Sequence, residues 1–398
     1  MANLRFAHIH LKDRLAGILR ETPGGGTAFE YQPDFGTDIA CALPRSQDRH
    51  DWPAGLHPFF EHLGPEGWLR GRQARTAEIE VEDDLGILLA YGGDCIGAVS
   101  VHDPESAGRK TNAGEFDELT GAAVAGNRTV SGVQPKLLAV ETAGEFAPAG
   151  PSGPAPYIAK FPTPDLPDIV SNEILALSAA RNLLGSGQVV DAKRALVRGI
   201  ETPALIVRRF DRTELGGKLR LEDLAQVLSK PRGRDFSGKY DGSFEEAGEA
   251  IARHSPRSAI DLLRFFERIV VFALIGNCDC HLKNFSLLET PRGLRLAPAY
   301  DVVNTYIYAR QGYSTRFGLR IAENWHALDT VDHDLLYRLG LRLGIAERAV
   351  AKTFVDIGKK KDRVLSTVTP RGVPSSDTWR DEFLDTLRAG FHRICPIG

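Results

Sequence analysis

The sequence predicts an α+β fold in two lobes, a β-rich front half followed by a helical back half. Two observations carry this. Up to about Asp211 the apolar residues fall in short alternating runs broken by Gly and Pro, the pattern of strands and turns. Beyond about Leu215 they recur at helical spacing.

The elements follow in order. Arg5 to Leu19 alternates apolar and polar residues, and Thr22-Pro23-Gly24-Gly25-Gly26 interrupts before Phe29-Glu30-Tyr31, so a hairpin opens a small β-rich domain. Pro58 to Leu69 reads as a helix closed by Gly64-Pro65 and then a second short helix, and Asp83 to Tyr91 adds another. Ala98 to Val101 is a strand, and the polar stretch His102 to Gly114 is a boundary. Val130 to Val140, Tyr157 to Phe161 and Ala204 to Asp211 are further extended segments. Between the last two, Ile169 to Leu184 has helical periodicity, with Ser171 or Asn172 as its N-cap and Gly185 at its end. The back half is expected to be helical over Leu221–Leu228, Phe244–Ala252, Ala259–Ile275 and Asp332–Leu343. Three parts follow from this: residues 1–110, 111–215 and 216–398.

Composition bounds the function. The chain has 398 residues, 42% hydrophobic and 25% charged, enough for several cores and too apolar for wholesale disorder. A net charge of −3 argues against bulk nucleic-acid binding. Five scattered cysteines give no disulfide framework and suit a reducing compartment. The N-terminus lacks a signal-peptide pattern, and the longest apolar run, Ile269 to Ile275, is too short to span a bilayer. A cytoplasmic location, away from any membrane, is expected.

The chemistry concentrates in Gly276-Asn277-Cys278-Asp279-Cys280-His281-Leu282-Lys283-Asn284-Phe285-Ser286. The spacing Asp-x4-Asn, then a short apolar hairpin around Pro291-Arg292-Gly293, then Asp301, is the order of parts a phosphoryl-transfer enzyme needs. One carboxylate accepts the proton of the attacking hydroxyl, the amide holds one Mg²⁺, and the second carboxylate holds the metal that bridges the ATP phosphates. The bland alternative is a solvated polar loop, which would not need this order. Cys278-Asp279-Cys280-His281 also admits a zinc reading, but Cys-x-Cys is tight for zinc pairing and no second cysteine pair lies near in sequence. The two cysteines are then small fillers.

The front half offers weaker signals. Lys160 lies in a strand where such an enzyme keeps its phosphate-binding lysine, and Glu173 is the natural ion-pair partner early in the next helix. Thr129 to Lys136 is no Walker loop, though Gly132 permits close approach to phosphates and Thr129 and Ser131 offer hydroxyls. Arg208 to Arg212 enters the helical half, either as a hinge presenting backbone groups to adenine or as surface ion pairs of little worth.

These motifs, in this order, resemble the HipA family of bacterial serine/threonine kinases, toxins of type II toxin–antitoxin pairs. The resemblance runs through the catalytic segment Gly276 to Ser286, Tyr300-Asp301-Val302, the loop Thr129 to Lys136, Arg209 to Arg212, Asn172-Glu173 and the N-terminal run Pro58 to Trp68. It implies a two-lobed kinase-like fold with a small N-terminal subdomain. It implies Asp279 as catalytic base, Asn284 and Asp301 as Mg²⁺ ligands, and Lys160 on the ATP phosphates. Backbone atoms around Arg208 to Phe210 would hold adenine, and His281 and Lys283 of the catalytic segment would complete the ATP site. It also implies a regulatory loop of Thr129, Ser131, Gly132, Gln134 and Lys136 whose autophosphorylation weakens ATP binding. The family's usual Ser is Thr129 here, with Ser131 two residues on, and Leu221 stands where the family often has Gln. Family targets include aminoacyl-tRNA synthetases, and the partner implied is a small helix-turn-helix antitoxin (HipB-like), through which any DNA contact would run. The rival readings are a lipid or small-molecule kinase and a kinase-like scaffold without catalysis.

Overall fold

The computed structural model describes residues 4–105, 118–125, 128, 134–151, 153–368 and 377–396. The chain forms two compact units, Met1–Phe161 with Ala195–Gly238, and Pro162–Arg194 with Lys239–Gly398. The units therefore cut the chain differently from the three-part division drawn on sequence. The segment 162–194, with its helix Ile169–Leu184, groups with the back half because that helix packs on the buried helix Ser258–Ile275.

The first unit holds two sheets. A five-stranded antiparallel sheet is ordered Arg49–Trp52, Thr27–Tyr31, Arg14–Glu21, Phe6–Leu11, Val99–His102. Its core of Ile9, Leu19, Phe29, Phe59, Phe60 and Leu88 comes from alternate strand positions and from the short helices Pro58–Glu61 and Asp84–Tyr91. A closed barrel follows in the order Ile200–Arg208, Tyr157–Lys160, Lys136–Thr142, Glu145–Pro148, Ala192–Val197. Closure leaves no free sheet edge to satisfy. The expected helix Leu221–Leu228 forms only over Leu224–Val227: Leu221–Asp223 is extended, and Asp223 with Gln226 makes a capping box that starts the helix three residues late.

The second unit is mainly helical. Ser258–Ile275 is its axis, with Phe265, Phe266 and every residue from Ile269 to Ile275 buried. Each such side chain contributes roughly 1.5–3 kcal/mol of burial free energy, so this helix fixes the unit. Phe244–His254, Ile169–Leu184 and Asp377–Ile394 pack around it. The hairpin Ser286–Thr290/Gly293–Leu296 forms as the sequence predicts. Asp261 of the axial helix ties it down, accepting from Arg295 through both carboxylate oxygens at 2.7 and 2.9 Å. Among the described residues no helix is long and apolar enough to cross a membrane.

Candidate active site

The axial helix ends at Gly276, whose φ of +86° lets the chain reverse direction. The N–H groups of Gly276 and Asn277 both return to the Phe272 carbonyl, at 3.1 and 3.0 Å. The polar run that follows is not a solvated loop: Asn277 is 0% exposed, His281 5% and Asn284 2%. Its backbone is pinned from several sides. Asn277 Oδ1 accepts the Asp279 N–H at 3.1 Å, and the Asp279 carbonyl accepts Asn284 Nδ2 at 2.7 Å and the His281 N–H at 2.9 Å. Cys278 N–H donates to Thr305 Oγ1 at 2.8 Å, while its carbonyl accepts the Gly318 N–H at 3.0 Å. Burial raises the Cys278 thiol to about 12 and pushes Cys280 well above the ordinary thiol range, so both are protonated fillers.

The Asp279 side chain is 45% exposed, in contrast to its fixed backbone. Tyr240 donates its hydroxyl to Asp279 Oδ1. His281 Nε2 stands 3.9 Å from the same oxygen, and its ring meets the Tyr240 ring edge-on at 5.1 Å. Lys283 is half-buried, and its carbonyl accepts the Tyr300 hydroxyl at 2.6 Å. Nearby in the same unit, Pro164, Asp165, Pro167, Gln311, Gly312 and Tyr313 line a cleft of about 580 Å³. Burial, then the charges of Asp165 and Asp279, raise the Tyr313 phenol, which links the cleft to Asp279.

Asp301 follows the hairpin in a left-handed backbone conformation, φ +53°, which costs a non-glycine residue roughly 1–2 kcal/mol. What holds the segment there is Asn172. Its Oδ1 accepts the Asn304 N–H at 2.8 Å, and its Nδ2 donates to the Asn304 carbonyl at 2.9 Å. Asn172 is therefore inside its helix rather than capping it, as is Ser171; the cap position is Asp168, at φ +59° and without a side-chain cap bond. Glu173, beside Asn172, is 1% exposed. Asn284 commits Nδ2 to the Asp279 carbonyl, so its amide oxygen is the atom that could hold a metal. With the Asp301 carboxylate it gives a hard, oxygen-only donor set, which fits Mg²⁺.

In the first unit, Lys160 and Lys136 stand directly opposite each other on antiparallel strands, 7% and 6% exposed. Gln134 donates Nε2 to the Phe161 carbonyl at 2.8 Å and so braces the end of the Lys160 strand. Thr129, Ser131 and Gly132 lie outside the described residues. The Arg208–Arg212 segment is only partly a surface ion-pair run: Arg208 reaches Glu214 at 3.5 Å in the open, while Arg209, Asp211 and Arg212 pair inside. Only Arg208 is exposed. Arg209 and Asp211 are buried together at 2.8 Å, and Arg212 reaches Asp211 at 2.8 Å and Asp94 at 2.7 Å. Burial works against the charge on Asp211, but Arg209 outweighs it and holds the carboxyl below its ordinary value. Phe210 between them is half-buried.

Sequence reading missed Tyr240, Asn172 as an anchor and the tethers from Thr305 and Tyr300. The signal for Tyr240 was Lys239-Tyr240-Asp241-Gly242-Ser243, polar residues and a glycine just before a capped helix.

This fold and site define the class: a two-lobed α+β chain with a kinase-like arrangement. The HipA-like C-terminal domain model matches residues 128–364 and the HipA N-terminal domain model residues 7–102. The chain belongs to the HipA-like kinase family. It is 31% identical over 314 residues to the "Putative kinase Y4dM" of Sinorhizobium fredii, covering 74% of this chain and 73% of that protein. It is 30% identical over 203 residues to the serine/threonine-protein kinase toxin HipA of Shewanella oneidensis, 45% of this chain and 44% of that one. Its fold matches HipA in the Shewanella oneidensis toxin–antitoxin complex of HipA, HipB and operator DNA. There the TM-score is 0.75 at 19% identity, over 98% of this chain and 100% of that one.

Proposed function

We propose that this chain is an ATP- and Mg²⁺-dependent protein serine/threonine kinase acting as a HipA-type toxin. The observation that carries the reading is the buried catalytic loop, which spends its backbone and amide groups on fixing one half-exposed carboxylate, Asp279. Asp279 receives the proton of the acceptor hydroxyl. Asn284 and Asp301 hold Mg²⁺, which when bound offsets the charge on the transferring phosphoryl group. Lys160 and Lys136 supply positive charge to the ATP phosphates, and His281 and Lys283 border the same chemistry. Backbone groups of Arg208 to Phe210 receive adenine, braced by the buried Arg209–Asp211 pair. Thr129, Ser131 and Gly132 form the regulatory loop, where a phosphate would add negative charge in the region proposed for ATP's own phosphates.

The acceptor is a protein hydroxyl, and a translation component such as an aminoacyl-tRNA synthetase is the proposed target. A HipB-like helix-turn-helix antitoxin is the proposed partner, with any DNA contact made through it and in the cytoplasm. The test is incubation with ATP and Mg²⁺ beside an Asp279→Asn control, with phosphate mapped by mass spectrometry on the chain and on lysate proteins. Phosphate in the wild-type sample alone supports the reading; none in either sinks it. Expression that slows growth no more than the Asp279→Asn form does would remove the toxin assignment.

A further inference from the structure

The kinase reading assigns Asp279 its role and leaves Tyr240 without one. Tyr240 closes a one-turn 3₁₀ segment, Ser237–Tyr240, and belongs with the catalytic loop to the second unit. The Gly242 N–H returns to the Tyr240 carbonyl at 2.8 Å, and the Gly242 carbonyl accepts the Arg320 N–H at 3.2 Å. A Cβ on Gly242 would lie 3.2 Å from Leu282 Cδ1 of the catalytic loop, so the two segments pack closely here. Ser243 then caps the helix Phe244–His254 by accepting the Glu246 N–H at 3.0 Å. Tyr240 thus projects from an anchored turn rather than a loose loop.

Its side chain meets Asp279 in one specific way. The phenol donates to Oδ1, and the ring packs edge-on against His281, itself 5% exposed. His281 Nε2, at 3.9 Å, is beyond hydrogen-bond reach of that oxygen, so of the two neighbours Tyr240 makes the bond. The Asp279 backbone is already fixed by Asn277, Asn284 and His281, which leaves the side-chain torsions as its remaining freedom. A carboxylate has two oxygens and about four acceptor positions. With Oδ1 engaged, Oδ2 is the oxygen left for an acceptor hydroxyl.

We propose that Tyr240 is the positioning residue of the reaction: its hydroxyl locks the Asp279 carboxylate so that Oδ2 faces the acceptor. This rests on the kinase reading. In the step, the acceptor oxygen bonds to the γ-phosphorus of ATP, the bond from that phosphorus to the bridging oxygen breaks to release ADP, and the acceptor's proton passes to Oδ2. Tyr240 keeps its own proton throughout.

The test uses the full chain with Mg²⁺ and labelled ATP, following incorporation into casein and into the chain itself. Tyr240→Phe keeps the ring against His281 and removes only the hydroxyl. Expected is a fall in kcat of about 10- to 100-fold, with KM for ATP and casein within about twofold of wild type, because a misoriented base costs chemistry and not binding. Calorimetric binding of a non-hydrolysable ATP analogue and the Tm are expected to stay unchanged. In an Asp279→Asn background, Tyr240→Phe is expected to alter the residual rate by less than about twofold, since the two act as one unit. Wild-type kcat in Tyr240→Phe overturns the proposal. So does a lower KM for casein with undiminished kcat, which would make the phenol a blocker, and so does an equal loss in both backgrounds. A wild-type chain as inactive as Asp279→Asn instead fails the kinase reading itself.

Discussion

Lys136 and Lys160 are cross-strand partners, directly opposite on antiparallel strands of the barrel, and both are buried. Along their strands they alternate with Leu137 and Ala159, which belong to the barrel's apolar core. Two buried ammonium groups placed opposite each other suit a polyanion such as the ATP phosphates. Lys136→Met is therefore expected to weaken ATP affinity about tenfold, or 1.4 kcal/mol. Lys160→Met is expected to abolish turnover. Thermal melts with and without Mg²⁺·ATP check both; a Lys136→Met protein that binds ATP as well as wild type would remove Lys136 from the site.

A second prediction concerns the anchor behind Asp301. Asn172 is 0% exposed and satisfies both backbone groups of Asn304, three residues after Asp301. Asn172→Ala leaves a buried N–H and a buried C=O without these partners, which costs roughly 1–3 kcal/mol each at most. Expected is a stability loss of about 2–4 kcal/mol in urea titrations. Activity is expected to fall further than unfolding explains, because the left-handed conformation of Asp301 loses its brace. Asn172→Asp, which keeps the acceptor for the Asn304 N–H, is expected to fall between the two.

How much of this was legible in the sequence divides by physical cause. Local signals held: the axial helix, the helix Ile169–Leu184 and the hairpin at Pro291-Arg292 formed where periodicity and turn residues put them. Asp279, Asn284 and Asp301 were legible as candidates because their spacing has a chemical reason. What failed depended on contacts far apart in the chain. Asn172 read as a cap because Asn favours caps, and only Asn304, well over a hundred residues on, gives it another use. The Arg208–Arg212 run left a hinge and surface ion pairs both open, because Asp94 and Cys95, which bury Arg209 and Arg212, are equally remote. Tyr240 carried no spacing that pointed to Asp279.

A third prediction is a pH dependence in the first unit. His57 is 7% exposed, and burial, followed by repulsion from His50, lowers it from 6.5 to about 4. The folded value lies below the unfolded one, so the unfolded chain binds the proton more readily. The neutral ring's contribution is full above about pH 6.5 and is lost as pH falls toward 4, amounting to about 3 kcal/mol. Urea midpoints are expected to drop across that window. His57 Nδ1 accepts the Phe59 N–H at 3.1 Å at the start of the helix Pro58–Glu61, so His57→Asn keeps a cap acceptor while removing the titration. Its midpoint is expected to vary less over the same window. An equal acid slope in both proteins would assign the effect to other groups.

The last prediction tests how tightly the catalytic loop depends on its entry. Gly276 has φ +86°, and a Cβ there would lie 2.6 Å from Asn304 Oδ1 and 2.7 Å from Thr386 Cγ2. Asn304 is fully buried and its backbone is held by Asn172, so it has little room to yield. Gly276→Ala therefore adds a left-handed penalty of roughly 1–2 kcal/mol to an overpacking cost of about 1–3 kcal/mol. The strain falls on the residue before Asn277, whose side chain sets the Asp279 N–H. Turnover is expected to fall by more than tenfold while the barrel lysines keep ATP affinity within about threefold. Calorimetry with an ATP analogue beside single-turnover kinetics separates the two. Equal losses in binding and chemistry would mean that Gly276 serves the fold as a whole and not the aim of Asp279.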